Sequence, residues 1–261
     1  MINLIYIIWG TMKIQMQNSF VRPMFKFCLI IGPIANTILL YYMFRNSQMD
    51  NFITYVIVGA GLSSLWECIC FSSIGDINRE RWSGTLSLIF SAPAGFNLII
   101  LGKIIGNTVL SLVSFLITIL TALLLFGETL VIHNIWVLLA SLLISLCAFI
   151  IISQVFAYLL TLSRKTTLYM NCLCIPIALV CGFVVPVESL PSWVHPLSYV
   201  LPPTWAVKLI RGSFDTGISS NEYFRYFAIL TAQIIIYAIL CQMLFKIIDR
   251  SIKIKASLEL M

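Results

Sequence analysis

Residues 98–126 of the chain read LIILGKIIGNTVLSLVSFLITILTALLLF, a run in which Lys103 is the one charged residue. A helix needs about 20 apolar residues to cross the hydrocarbon core of a bilayer, so this run is long enough to span a membrane. Inside lipid only helices and closed barrels satisfy all of their backbone hydrogen bonds. The run does not alternate as a strand does, and it therefore predicts a membrane-spanning helix.

The composition of the whole chain agrees with this prediction. Of its 261 residues, 60% are hydrophobic and only 10% are charged, whereas soluble domains carry about 25% charged residues. The net charge of +6 does not indicate a nucleic-acid partner, because the charges stand at the ends of apolar runs and form no basic stripe. The chain is expected to be an integral membrane protein.

Five further runs are long enough to span a membrane. With 98–126 they predict an all-α membrane protein of six transmembrane helices, the others lying at 25–44, 52–75, 135–162, 167–187 and 224–248. With the N-terminus placed inside, twelve of the 16 lysine and arginine residues fall on the inner side. The positive-inside rule then predicts a multi-pass protein of the plasma (inner) membrane with both termini in the cytoplasm.

Residues 1–22 precede the first predicted span. Ile5, Ile8, Trp9 and Met12 recur at helical spacing, and polar residues follow them up to Asn18. This pattern predicts an amphipathic helix that lies in the inner interface of the membrane. The alternative, a further span, requires a longer apolar run than the polar residues leave.

Two connecting segments are longer than the rest, one inner (76–97) and one outer (186–223). The outer segment has five prolines with aromatic residues between them, which breaks any continuous helix but leaves an apolar stretch. Short helices that re-enter the outer leaflet, a re-entrant hairpin, fit both properties.

The inner segment contains a short amphipathic stretch, 76–93. Arg79, Glu80 and Arg81 offer charges of both signs, Trp82 can anchor in the interface, and Gly84 permits a tight bend. The stretch therefore suits a surface helix that presents its polar face to a soluble partner. The alternative is an interfacial loop whose arginines reach the headgroups and bind no partner.

Motifs for chemistry within the chain are missing from the sequence. Gly102-Lys103 is followed by Ile104 where a phosphate-binding loop needs Ser or Thr. No HExxH motif occurs, and no Ser, His and Asp set could meet at one depth of the membrane. The eight cysteines fall inside apolar runs and predict neither a disulfide framework nor a zinc site. We expect no catalytic residue, no metal and no cofactor bound by this chain.

Polar residues inside the predicted spans are the remaining candidates. An ionised Glu67 costs about 2.5–3.5 kcal/mol to insert, so it should pair in the bundle, with Lys103 and Asn107 as candidate partners, or line a translocation path. Asn36 and Asn171 either line that path too or, like Gln154, form ordinary hydrogen bonds between helices. Gly102 and Gly106 could allow close helix packing.

Two segments resemble a known family, the ABC-2 type transporter permeases, which are transmembrane subunits of type V ABC exporters. The inner match is Glu80-x-x-x-Gly84-Thr85-Leu86, running on to Ala92-Pro93 and Gly102-Lys103. The outer match is Pro186-x-Glu188-x-Leu190-Pro191-x-Trp193, then Pro202-Pro203-Thr204 and Arg211. Both stand at the family's positions relative to six spans.

The resemblance implies one ABC-2 type transmembrane domain over residues 1–261, which pairs with a second permease copy or a related permease, in contact with membrane lipid. Two separate ATP-binding subunits would hold MgATP and dock on a coupling helix at 76–93. Glu80, Gly84 and Thr85 carry over directly as docking positions, with Arg79, Arg81 and Leu86 beside them. Ser87 departs from the acidic residue of many relatives, which puts the charge match to the ATPase in doubt.

The function implied is export of an amphipathic substrate, which could be a drug, a lipid-like molecule or an antimicrobial peptide. An alternative is a membrane immunity protein that sequesters a toxic peptide without ATP-driven transport. A membrane-embedded lipid enzyme is a third possibility; it needs a polar catalytic cluster at one depth, and we identify none from the sequence.

Overall fold

The computed structural model of the chain describes residues 4–45, 52–127, 134–161, 174–214 and 219–255. Within these ranges the regular structure is helical. In chain order the helices are α1 (Leu4–Val21), α2 (Pro23–Phe44), α3 (Phe52–Trp82), α4 (Leu86–Ser91), α5 (Phe96–Phe126), α6 (Ile135–Thr161), α7 (174–180), α8 (His195–Val200), α9 (Pro202–Gly212) and α10 (Ser220–Lys255). A single 3₁₀ turn, Val187–Ser189, precedes α8.

Five of these helices are long and apolar enough to cross a membrane. They are Pro23–Phe44, Thr54–Trp82, Phe96–Phe126, Ile135–Thr161 and Ser220–Arg250. The all-helical membrane class is thereby confirmed, and these five match five of the six predicted spans.

The remaining predicted span, 167–187, begins outside the described residues. Its described part is helical over 174–180 only. The extension to 187 is wrong, because Gly182 has φ +84 and turns the chain out of the helix. The count of six spans stays a prediction.

Helix α3 is the centre of the bundle and packs against α2, α5, α6 and α9. At 31 residues it is about 45 Å long at 1.5 Å per residue. Trp66 is fully buried at its middle, where its ring meets those of Phe149 and Phe183 and its indole N–H donates to the Cys174 carbonyl at 3.2 Å. The predicted second span stops at residue 75, but the helix continues to Trp82.

Helix α1 packs along α5 at the two glycines that the sequence suggested for close packing. A Cβ on Gly102 would lie 3.1 Å from the Ile8 carbonyl oxygen, and one on Gly106 would lie 2.9 Å from that of Met12. A side chain would displace the neighbouring backbone at Gly106 and would pack tightly at Gly102, so the predicted role of the pair in close helix packing is confirmed. The buried residues of α1 are Gln15 and Ser19, while Trp9 on its other side is 63% exposed.

The outer segment contains short helices, as predicted. Pro202 begins α9 at the position where proline suits a helix start, since its missing N–H would have no intrahelical partner. Helix α9 packs against α3, α6 and α10, and most of its residues are buried. The last long helix begins at Ser220, four residues before the predicted start of the final span.

Candidate functional site

Asp76 is the centre of a buried polar cluster at the C-terminal end of α3. Its carboxylate is 3% exposed and lies 2.7 Å from Arg22 NH1 and 2.5 Å from Arg79 NH2. It also accepts hydrogen bonds from the side-chain amides of Asn107, at 3.0 Å, and Gln15. One side chain thus joins α1, the start of α2, α3 and α5.

The other polar atoms of this cluster bond to each other. Asn107 Oδ1 accepts from Gln15 Nε2 at 3.1 Å and from Ser19 Oγ at 2.8 Å. Burial lowers the pKa of Arg22 from its ordinary value, with Asp76 opposing the shift, and the guanidinium stays charged. A fully bonded buried network of this kind holds its helices in one arrangement.

A second ion pair lies beside the first cluster. Lys103 Nζ on α5 contacts Glu80 Oε1 near the end of α3, and both side chains are less than one fifth exposed. The hydroxyl of Thr85 donates to the other carboxylate oxygen of Glu80. The pair therefore fixes both the last turn of α3 and the first residue beyond the bend against α5.

The bend itself has the geometry of a Schellman motif. The N–H of Thr85 donates to the Glu80 carbonyl at 3.0 Å, and that of Gly84 donates to the Arg81 carbonyl at 3.1 Å. Gly84 has φ +68 with no atom close to its missing side chain. Glycine is favoured here by backbone conformation rather than by space.

Exposed residues cluster at this bend, which we term the inner turn (residues 82–91) after the side of the membrane predicted for it. Trp82 is 84% exposed and Leu88 is 68% exposed, while Ser83 and Gly84 are exposed as well. Leu86 is buried in one hydrophobic cluster with Phe96 and Ile100, and the Phe90 ring stacks on that of Phe96 at 3.9 Å. The inner turn is thus packed against the bundle on the side of Leu86 and Phe90 and exposed on the side of Trp82 and Leu88.

The structure corrects the prediction of one coupling helix over 76–93. Residues up to Trp82 continue α3, and only Leu86–Ser91 form a separate helix, because the left-handed Gly84 ends α3. Glu80 and Arg81 point into contacts of the bundle: Glu80 pairs with Lys103, and Arg81 NH2 donates to the Thr161 carbonyl at 2.5 Å. Arg79, at 42% side-chain exposure, is the more accessible charge.

The predicted partners of Glu67 are also wrong. Lys103 contacts Glu80 and Asn107 contacts Asp76, since both lie toward the inner end of α3. Glu67 instead accepts a hydrogen bond from Asn36 Nδ2 at 3.4 Å. The two line a cavity of about 100 Å³ together with Ser63, whose hydroxyl has no partner in the part of the chain that the structure describes.

Of the other polar candidates, Asn171 lies outside the described residues. Gln154 joins two helices, as predicted, by donating to Asn97 Oδ1 at 2.8 Å across the α5 and α6 contact. That bond confirms Gln154 as an interhelical hydrogen-bonding residue.

The predicted outer residues separate into exposed and buried groups. Trp193 is 79% exposed and Pro191 is exposed, whereas Pro203 is buried in α9. Glu188 Oε1 lies 2.7 Å from Lys208 Nζ. Arg211 donates to the Phe183 carbonyl at 3.0 Å and covers the Tyr55 ring at 3.8 Å.

The ion pair between Glu188 and Lys208 lowers the pKa of the carboxyl group and raises the pKa of the amine. Burial alone raises the pKa of Glu188, but the hydrogen bond from Lys208 outweighs it and holds that pKa below its usual range. Burial likewise disfavours the charged lysine, and Glu188 outweighs it and raises the pKa of Lys208. Both groups are therefore charged near neutral pH.

Sequence reasoning missed Asp76 as a site residue. It stands at the boundary between a span and an amphipathic stretch, with Asn107 and Gln15 distant along the chain. The sequence does show polar residues at similar predicted depths in three inner segments. These residues form a cluster only if the three helices pack together, which the pattern alone does not indicate. Within the described ranges, no group of three or more metal-ligating side chains could hold an ion.

Comparison with known proteins gives one family. A sequence model described as ABC-2 family transporter protein matches residues 23–241, which is most of the chain. The matched region runs from α2 into α10 and includes the inner turn and the outer segment. No curated protein matches the sequence.

Proposed function

Because the chain belongs to the ABC-2 family of transporter proteins, we propose that it is the permease subunit of an ATP-driven exporter. Two separate ATP-binding subunits hold MgATP and drive it, and the chain itself performs no chemistry. The inner turn is the surface on which they dock, and the termini lie on that same cytoplasmic side of the plasma membrane.

The observation that carries this proposal is an exposed turn on a rigid base. Trp82, Ser83 and Leu88 face outward, while Glu80 and Lys103 fix the ends of α3 and α5 beneath them. A surface that only anchored in lipid would not need an ion pair below it. A surface that receives force from a partner does, because a loose turn would absorb the displacement.

The Asp76 cluster extends this base to the N-terminal helix. A push on the inner turn moves the end of α3, and Asp76 links that end to α1 through Gln15 and to the start of α2 through Arg22. Closure of the ATP-binding subunits would thereby tilt these helices as a unit and reopen the path to the outside. The equilibrium between the inward-facing and outward-facing states shifts only by the difference in affinity of the ATP-binding subunits for those two states.

The translocation path is proposed to include the polar cavity in the middle of the bundle. Asn36 and Glu67 meet there across α2 and α3, and Asn171 is assigned to the same path from sequence. An ionisable side chain at membrane depth is by default a functional candidate. The apolar lining beside it, including Leu39 and Ile175, suits an amphipathic substrate such as a drug, a lipid-like molecule or an antimicrobial peptide.

A second permease is proposed to cover part of the outward-facing helix surface. Within their most apolar windows, only 22% of α2 and 11% of α10 are buried, against 89% of α3. Lipid covers the remainder. Of the five candidate spans in the described residues, these two have the smallest buried share and are therefore proposed as the surface for a paired copy or a related permease.

The test is assembly with the ATP-binding subunit encoded nearest to the chain. The two are co-expressed and purified in detergent, and ATP hydrolysis is measured with and without candidate substrates. Copurification with substrate-stimulated hydrolysis supports the proposal. A folded chain that binds a toxic peptide but retains no ATP-binding subunit would overturn it and favour a sequestering immunity protein.

A further inference from the structure

An open cavity lies at the outer end of the bundle, at the opposite end of α3 from the inner turn. Its volume is about 340 Å³, and its wall is formed by the start of α3, the 3₁₀ turn, α9 and the start of α10. Three charged side chains, Glu188, Lys208 and Arg211, share this wall with apolar and aromatic groups.

Arg211 is the unusual member of that wall. NH2 donates to the Phe183 carbonyl at 3.0 Å, and the guanidinium lies 3.8 Å over the Tyr55 ring. Its Nε atom is buried and has no hydrogen-bond partner among the described residues, and none of their carboxylates lies within 4.0 Å of it. An arginine is always charged and has five N–H donors, so burial without a counter-ion is costly.

The other two charges of the cavity neutralise each other. Lys208 Nζ lies 2.7 Å from Glu188 Oε1 and is also held 4.8 Å from the centre of the Tyr199 ring. The lining therefore has one net positive charge, that of Arg211. The cavity has room for a group that brings a negative charge to Arg211, which contacts no carboxylate among the described residues.

We propose that this cavity binds the anionic group, a phosphate or a carboxylate, of an amphipathic molecule, with Arg211 as its charged ligand. Guanidinium matches both oxyanions because its donors form a planar fork. Val187 and Val207, with the rings of Tyr55 and Tyr226, line the same cavity and suit the apolar part of the molecule. The site needs neither the ATP-binding subunits nor transport, so it stands or falls separately from the proposed function.

The test measures binding to the full-length chain purified in a neutral detergent. Three anionic probes are used: inorganic phosphate, short-chain phosphatidylglycerol and octanoate, with short-chain phosphatidylcholine as the zwitterionic reference. Retention is counted by native mass spectrometry and affinity by thermal shift titration. Preference for phosphatidylglycerol over phosphatidylcholine identifies a lipid phosphate, and preference for octanoate identifies a carboxylate.

Two substitutions act in opposite directions. Arg211→Gln removes the charge and should weaken anion binding roughly ten- to hundredfold, the range for a charged hydrogen bond. Glu188→Gln frees Lys208 and should tighten binding up to about fivefold, as for loss of a surface ion pair. Because Glu188 is 64% exposed, this second variant does not depend on a change in the core.

The matched control is Arg45→Gln. Arg45 is an exposed arginine at the end of α2 that does not line the cavity, and its loss should leave binding unchanged. Equal anion binding by the wild type and a folded Arg211→Gln variant would overturn the proposal, as would binding to none of the three anions. If Arg211→Gln does not fold, anion affinity is measured in Arg211→Lys and Glu188→Gln instead. Unchanged affinity in both of these variants would overturn the proposal.

Discussion

Arg22 NH1 lies 2.7 Å from Asp76 Oδ1, and this pair joins the start of α2 to the inner end of α3. The carboxylate is almost fully buried and the guanidinium is 22% exposed. The pair thus connects the N-terminal helices to the segment that leads into the inner turn.

Removing the carboxylate of Asp76 should destabilise the bundle strongly. Breaking a buried pair by removing one partner costs about 3–5 kcal/mol, because the other charge is left buried. Asp76→Ala is therefore expected to lower the free energy of unfolding by that amount in mixed micelles, and Asp76→Asn by less. Glu222→Ala, at an exposed acidic residue of α10, is the control; an equal effect at both positions would refute the role of Asp76.

Gly84→Ala should strain the inner turn without unfolding the protein. A side chain in the left-handed conformation costs about 1–2 kcal/mol, and Gly84 has φ +68. Hydrogen exchange of residues 82–91 should accelerate, and less ATP-binding subunit should copurify.

Gly75→Ala is the matched control for that prediction. Gly75 is in α3 with open space around it and no positive φ, so alanine should be neutral or slightly stabilising through helix propensity. If both glycine variants behave alike, the conformational explanation of Gly84 is wrong.

Gly106→Ala should separate α1 from α5. Its Cβ would lie 2.9 Å from the Met12 carbonyl oxygen, and overpacking of this kind costs about 1–3 kcal/mol. We expect a lower unfolding temperature and greater protease access to α1. Gly32→Ala, where nothing lies within 4 Å, should change neither; an unaffected Gly106→Ala variant would contradict the observed close packing.

The outer ion pair should make local stability depend on pH. The folded pKa of Glu188 is lowered, so its contribution is present above the unfolded carboxyl pKa and is lost as pH falls through the folded one. The folded pKa of Lys208 is raised, so its contribution is lost as pH rises through that value. Amides near Glu188 should therefore be most strongly protected, relative to their intrinsic exchange rate at the same pH, between these limits.

Glu188→Gln tests this pH dependence directly. The variant should lose the acidic limb of the profile while keeping an otherwise similar exchange pattern, because 64% of the carboxylate side chain is exposed. An unchanged acidic limb would assign the dependence to another group.

Much of the fold follows from the sequence, because long apolar runs have few alternatives in a membrane. The runs at 25–44, 98–126 and 135–162 became helices with nearly those ends. The boundary of α3 was harder, because residues 76–82 are polar and read as a surface segment. The polar side chains of Asp76, Glu80 and Arg81 instead form ion pairs and hydrogen bonds with other helices of the bundle.

The site was predicted less completely than the fold, because its residues contact each other only through the packing of separate helices. Gly84 could be predicted from its own position, since a glycine permits a tight bend whatever residues pack around it. Asp76 depends on Gln15, Arg22 and Asn107, which approach only when α1 packs on Gly102 and Gly106. Such a cluster depends on which helices pack together, and sequence patterns within each helix do not predict that packing.

The most direct test of the central proposal is a photo-crosslinking residue at Ser83, which is exposed at the top of the inner turn. The same residue at Trp193, exposed on the outer segment, is the matched control. We expect a crosslink from position 83 to the ATP-binding subunit in membranes and none from position 193. No crosslink from position 83 to a subunit that copurifies with the chain, or equal crosslinking from both positions, would contradict it.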